Sequence, residues 1–219
     1  MHLAKVRKIK GRRKVRRKRT SKKLSKSVLY GMVFLAFLSC STLMFYAISS
    51  QDGAYSASAD TSQSSQDTTT ISFIQEIGET ARQIAAQNDL YASVMIAQAI
   101  LESNSGQSAL SQPPYYNYFG IKGDYNGQST TMQTWEDDGS GNAYTIDAQF
   151  RSYGCQEESL QDYAQFLQKD IYAGVRKSNT TSYQDATAAL TGTYATDTSY
   201  GSKLNQIISE YDLTIYDSW

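Results

Sequence analysis

The first 48 residues dictate where folding can begin. Residues 1–26 carry fourteen Lys and Arg and no acid, and residues 28–48 carry no charge at all. The uncharged stretch is rich in Leu, Phe, Val and Met. As a helix it is roughly 30 Å long, enough to cross a hydrocarbon core. Basic residues ahead of such a segment keep their end in the cytoplasm, attract anionic lipids, and place the downstream chain outside. The sequence therefore predicts a basic cytoplasmic head (1–27), a single transmembrane helix (28–48) and an exported remainder. A cleaved signal peptide competes with this reading, since Ala57-Ser58-Ala59 offers an A-x-A-like site. The length of the apolar run favours an uncleaved membrane anchor, and either route exports the body.

Taken alone, the cationic run would also suit nucleic acid. The rest of the chain opposes that partner. Residues 49–219 hold seven Lys and Arg against all twenty-one Asp and Glu, a balance of −14. Residues 49–70 are Ser, Thr, Gln, Ala and Asp with one aromatic, Tyr55, and read as a disordered linker. Composition turns globular at Ile71, leaving residues 71–219 as one domain able to bury a core.

Within that domain Ile71, Ile74, Ile77, Ala81, Ile84 and Ala85 fall at helical intervals, predicting a first helix to about Gln87. Asn88-Asp89 breaks it, and Asp89 is the expected cap of the next helix. Residues 91–103 carry Val94, Ile96, Ala97, Ala99, Ile100 and Leu101 around most of the helical circumference, the mark of a central helix. Glu102 sits near its end. Alternating, β-favouring residues at 129–135 and 144–150 predict a hairpin around a long turn, with Glu136 where the first strand enters it. Further helices are predicted at 157–170, 183–190 and 200–210. The fold class is thus α+β, mostly helical with one small β-hairpin.

The only His is His2, and the two Cys are Cys40 and Cys155. A His-dependent nucleophile or a His/Cys metal centre has no residues to build on in the domain. No metal or cofactor is called for, and chemistry there must run on carboxylates, hydroxyls and amides. Fifteen of the seventeen Tyr lie outside the apolar segment, and Tyr suits sugar surfaces because its ring stacks while its hydroxyl bonds. Tyr-rich exported proteins without glycan ligands also exist. A pair of carboxylates is the natural device for breaking a glycosidic bond, one protonated as donor and the other ionised. Glu102 alone among the acids ends an apolar helix, though most helix-end glutamates are simply solvated. Glu136 with Asp137 and Asp138 also reads as an ordinary acidic turn.

The ordered blocks AQAILESNSGQS (from Ala97), NYFGIKG (from Asn117), TWE (from Thr134), FRSYGCQEESLQDYAQFL (from Phe150) and TGTYATDTSYGSKL (from Thr191) resemble glycoside hydrolase family 73. Those are bacterial peptidoglycan N-acetylglucosaminidases with a lysozyme-like fold. The resemblance runs from about Ile71 to Leu213. It implies that Glu102 is the general acid and Glu136 the second carboxylate, and that Tyr194, or alternatively Tyr200, lines the site. It further implies a substrate groove involving Asn117, Tyr118, Phe119, Gly120 and Trp135. The family usually carries Gly and an aromatic after the Glu-Ser pair, where this chain has Asn104-Ser105, and Thr198 replaces a common Pro. Those departures bear on subsite preference and loop rigidity.

The implied substrate is the β-1,4 bond between N-acetylglucosamine and N-acetylmuramic acid, cut at the outer face of the membrane. A muramidase or lytic transglycosylase on the same fold is the second reading. A non-catalytic wall-binding module is the third.

Overall fold

The structure, a computed structural model, describes residues 56–137 and 143–218; the basic head and the apolar segment 28–48 lie outside the described residues. No described helix is long and apolar enough to cross a membrane. Helix α1 spans Ser56–Gln87 and α2 spans Ala92–Ser103. The strands β1 (Ser129–Asp137) and β2 (Ala143–Arg151) come next, then α3 (Gln156–Phe166), α4 (Tyr183–Leu190) and α5 (Tyr200–Glu210). Short 3-10 turns at Asp170–Val175, Lys177–Asn179 and Leu213–Asp217 complete the described elements.

The α1 helix corrects the linker expectation, because fifteen residues read as linker, 56–70, are helical. Hydroxyl side chains in this stretch bond back one turn. Thr68, Thr69 and Thr70 donate their hydroxyls to the carbonyls of Ser64, Ser65 and Gln66. Such bonds satisfy the hydroxyls within the helix without themselves favouring it. Thr70 is also buried, and its hydroxyl bonds Ser105 Oγ at 2.8 Å. The buried stripe of α1 runs through Phe73, Ile74, Ile77, Ala81, Ile84 and Ala85. Ile71, expected inside, is 47% exposed, and Phe73 takes the interior position instead.

Helix α2 is central, as its apolar circumference implied. Every residue from Ala92 to Ile100 is buried, with α1, α5 and the turn at Leu213–Asp217 packed around it. Asp89 does not cap it. Asp89 takes a left-handed backbone (φ 58°), and its carboxylate accepts from Ser178 N at 3.0 Å and from the Ser178 hydroxyl. The cap comes from the far end of the chain. Asp217 accepts from Ser93 N at 2.9 Å and from Ser93 Oγ at 2.6 Å, satisfying donors that the first turn of a helix leaves unpaired.

The hairpin is antiparallel, in register from Ser129 opposite Arg151 to Asp137 opposite Ala143. Its base is tied to the preceding loop by Asn117, whose amide donates to Ile121 O at 3.0 Å and Arg151 O at 2.9 Å and accepts from Ile121 N. Helices α4 and α5 meet closely at Gly201, where an added Cβ would lie 2.9 Å from Thr187 O. Gly201→Ala is expected to destabilise the domain by about 1–3 kcal/mol through overpacking. A denaturant melt checks this, and an unchanged midpoint would show that the two helices can separate freely.

Candidate active site

Glu102 occupies the last turn of α2, and the helix stops directly behind it. Asn104 and Ser105 both take left-handed backbone (φ 52° and 54°), followed by Gly106 at φ 76°. A Cβ at Gly106 would lie 2.7 Å from the Phe73 ring, so this turn has room only for glycine there. Ser103 secures the turn, donating to Ala99 O and accepting from Gly106 N at 2.7 Å.

The Glu102 residue is half-buried, yet its carboxyl is embedded deeply enough that its pKa rises from the ordinary 4.5 to about 7. Burial, which disfavours the charged form, is the leading cause, and a hydrogen bond from Tyr200 partly opposes it. Tyr200 Oη donates to Glu102 Oε1 at 2.6 Å and accepts from Gln98 Nε2 at 2.8 Å. Gln98 Oε1 in turn accepts from the Tyr163 hydroxyl. A single chain of hydrogen bonds therefore runs from α3 through α2 and α5 to one carboxyl oxygen. Among the described residues Glu102 Oε2 has no hydrogen-bond partner, which leaves it available to hold and deliver a proton.

Aromatic rings supply the low-dielectric wall. Tyr200 is fully buried and stacks on Tyr194, with centroids 5.9 Å apart and planes 18° apart. Phe119 stacks on Tyr163 at 3.9 Å. Burial, reinforced by the Glu102 charge, holds the Tyr163, Tyr194 and Tyr200 hydroxyls well above the usual phenol range. They therefore remain donors at any physiological pH.

Of the two candidate tyrosines, Tyr200 is the one that touches Glu102. Tyr194 bonds Phe119 O at 3.0 Å and stands behind Tyr200. The expected groove wall needs correction, because the Asn117, Tyr118 and Phe119 side chains are all interior. Asn117 clamps the hairpin base, Tyr118 packs edge-on against Phe73 at 5.2 Å, and Phe119 stacks on Tyr163. Of that block only Gly120 is partly exposed. Trp135 and Glu136 lie in β1 opposite Thr145 and Tyr144. Their backbone is described and their side chains are not.

Two site residues escaped the sequence reading, Gln98 and Tyr163. Gln98 had left a signal, being the sole polar residue in VMIAQAIL and one helical turn before Glu102. Tyr163 had none. Tyr200→Phe keeps the ring and its stack but removes the hydrogen bond that favours ionised Glu102. The descending limb of the pH–rate profile, set near 7, is expected to move to higher pH. A merely structural role would lower the melting temperature and leave that limb in place.

A raised carboxyl at the end of a core helix, backed by a phenol, in a mostly helical domain with one small hairpin, places this chain among glycoside hydrolases of lysozyme-like type. The family model of mannosyl-glycoprotein endo-beta-N-acetylglucosaminidase matches residues 78–213. The chain belongs to that glucosaminidase family, glycoside hydrolase family 73. It is 54% identical over 153 residues to an autolysin of Enterococcus faecalis, covering 67% of this chain and 21% of that protein. It is 51% identical over 151 residues to a probable N-acetylmuramidase of Lactococcus lactis subsp. cremoris, covering 66% of this chain and 34% of that protein. The catalytic domain of the autolysin Auto from Listeria monocytogenes matches with a TM-score of 0.65 and 41% identity, covering 83% of this chain and 99% of that one. This chain thus spans between a fifth and about a third of the length of those two curated relatives.

Proposed function

We propose that the protein is an exported peptidoglycan hydrolase that cuts the β-1,4 bond between N-acetylglucosamine and N-acetylmuramic acid, with Glu102 as general acid. The observation that carries this reading is the Glu102 carboxyl, raised to about 7 by burial and touched by one donor, Tyr200 Oη. At neutral pH such a carboxyl is protonated in a large fraction of molecules and can give its proton to the leaving glycosidic oxygen.

Glu136 is the second carboxylate in this reading. It either activates water for direct attack at the anomeric carbon or stabilises an oxazolinium ion formed by the substrate's own acetamido group. In the second case Glu136→Gln costs less activity than Glu102→Gln, and a comparison of the two rates on purified wall tests it. Residues 28–48 anchor the protein in the membrane with the domain outside, and the basic head meets anionic lipids on the cytoplasmic side. What supports the anchor is the charge-free length of that segment and the fourteen cations ahead of it.

A muramidase is the second reading, favoured by the name of the Lactococcus relative. Mass spectrometry of the chain ends released from purified peptidoglycan separates the two. New reducing N-acetylglucosamine ends support the proposal. Muramic or anhydromuramic ends overturn it in favour of the second reading.

A further inference from the structure

Two concavities of the described domain lie away from the Glu102 carboxyl. One, of about 410 Å³, lies between α1 and the loop after α2. A second, of about 350 Å³, lies farther along α1 beside the start of α3. They share Tyr116 and Gln156, and Gln156 donates to Glu76 between them. On α1 the lining positions are 69, 72, 73, 76, 77 and 80. Those positions form one helix face, so the two chambers lie in line along α1 over roughly 16 Å at 1.5 Å per residue, as a groove bridged by the Gln156–Glu76 bond. Neither chamber is lined by Glu102, Tyr194 or Tyr200.

The chemistry of the groove is specific. The partly exposed Tyr116 ring and the buried Phe73 and Tyr118 line the first chamber, and Gln107, Gln112 and Gln156 give primary amides. Hydroxyls of Thr69, Ser72 and Ser111 complete the first chamber, with Thr80 in the second. No Lys or Arg lines either chamber, whereas Glu76 lines the first and Glu157 the second. An anionic ligand would meet two carboxylates and no counter-charge. A neutral chain rich in hydroxyl and acetamido groups would meet amide and hydroxyl donors and acceptors and the Tyr116 ring to stack against.

Tyr116 takes a left-handed backbone, φ 50°, a conformation that costs a bulky residue free energy and tends to persist at ligand sites. At the floor, small Ser105 is buried and tied to Thr70 Oγ1 at 2.8 Å.

We propose that this groove along α1 binds a neutral N-acetylated glycan strand, as a second saccharide site outside the carboxylate site. It holds uncut strand, and it does not depend on which bond the Glu102 site cleaves.

Cys155 provides the test, because its exposed free thiol lines the second chamber. The full-length Glu102→Gln protein is alkylated with iodoacetamide at rising concentrations of chitotetraose. Peptide mass spectrometry tracks Cys155 separately from Cys40. At ten times the half-saturating concentration the Cys155 rate is expected to fall roughly tenfold, since only unoccupied protein reacts. Tyr116→Ala with Gln112→Ala in the same background should restore the free rate. Gln112 is exposed, so Gln112→Ala alone serves if the double variant does not fold. An unchanged rate across the titration overturns the proposal. So does protection that survives the groove substitutions, or protection by a sugar-free stem peptide where chitotetraose gives none. Each result is independent of the chain-end experiment, so either proposal can fail alone.

Discussion

Glu102→Gln is expected to lower turnover of cell-wall glycan by about 10²–10⁴-fold, the usual contribution of a positioned proton donor. The same substitution is expected to stabilise the fold. Glutamine fills nearly the same space and can still accept from Tyr200, but it never has to be ionised in a buried setting. The sign comes from the raised pKa. In the unfolded chain Glu102 ionises near its ordinary 4.5, and in the folded chain only near 7. Between those values the folded state holds more protons, so stability falls as pH rises, and above 7 the full cost is present. That cost is on the order of 2–3 kcal/mol at roughly 1.4 kcal/mol per unit, reduced somewhat because Glu102 keeps solvent contact. Melts of both proteins across pH should show Glu102→Gln more stable above pH 7, with the gap closing towards pH 4.5. A parallel pair of curves would mean that Glu102 is not buried against its charge.

The second large effect is expected at the other end of the chain. Asp217→Ala removes both bonds to Ser93 and leaves the N-terminus of the central helix uncapped. Charge-assisted bonds of this kind contribute about 1.5–3 kcal/mol each and are not additive, so a total loss of about 2–4 kcal/mol is expected. The neighbouring anchors point the same way. Lys177 Nζ donates to Asp217 O at 3.0 Å, and Tyr216 packs where Gly78 leaves space, 2.7 Å from the position of a Cβ there. The segment after α5 is therefore a clasp on α2, which carries Glu102. A double-mutant cycle with Ser93→Ala isolates the pair. Additive losses would show that the two residues do not support one another.

Legibility in the sequence tracked the range of the interactions. Helices α4 and α5 were readable because their own apolar spacing sets their limits. The hairpin was readable because alternation is local, and Glu102 because α2 is apolar nearly all round. The hidden features depend on partners far along the chain. Tyr200 meets Glu102 across 98 positions, and nothing near either tyrosine tells Tyr200 from Tyr194. Asp217 caps a helix through Ser93, 124 residues away, so the nearer Asp89 drew the assignment. Asn117, Tyr118 and Phe119 look like a binding surface from their composition, yet they are interior because Asn117 spends its amide on the hairpin base. Residues 56–70 looked unstructured by composition, and the bond that ties buried Thr70 to Ser105, 35 positions away, has no apolar signature.

If burial keeps Glu102 protonated at neutral pH, a direct titration will show it. The carboxyl carbon is observed by NMR in protein carrying ¹³C-labelled glutamate, with Glu102→Gln used to assign the signal. The expected midpoint lies near 7, coincides with the descending limb of the pH–rate profile and rises in Tyr200→Phe. A midpoint in the ordinary carboxylate range, close to 4.5, would contradict the assignment of Glu102 as the proton donor.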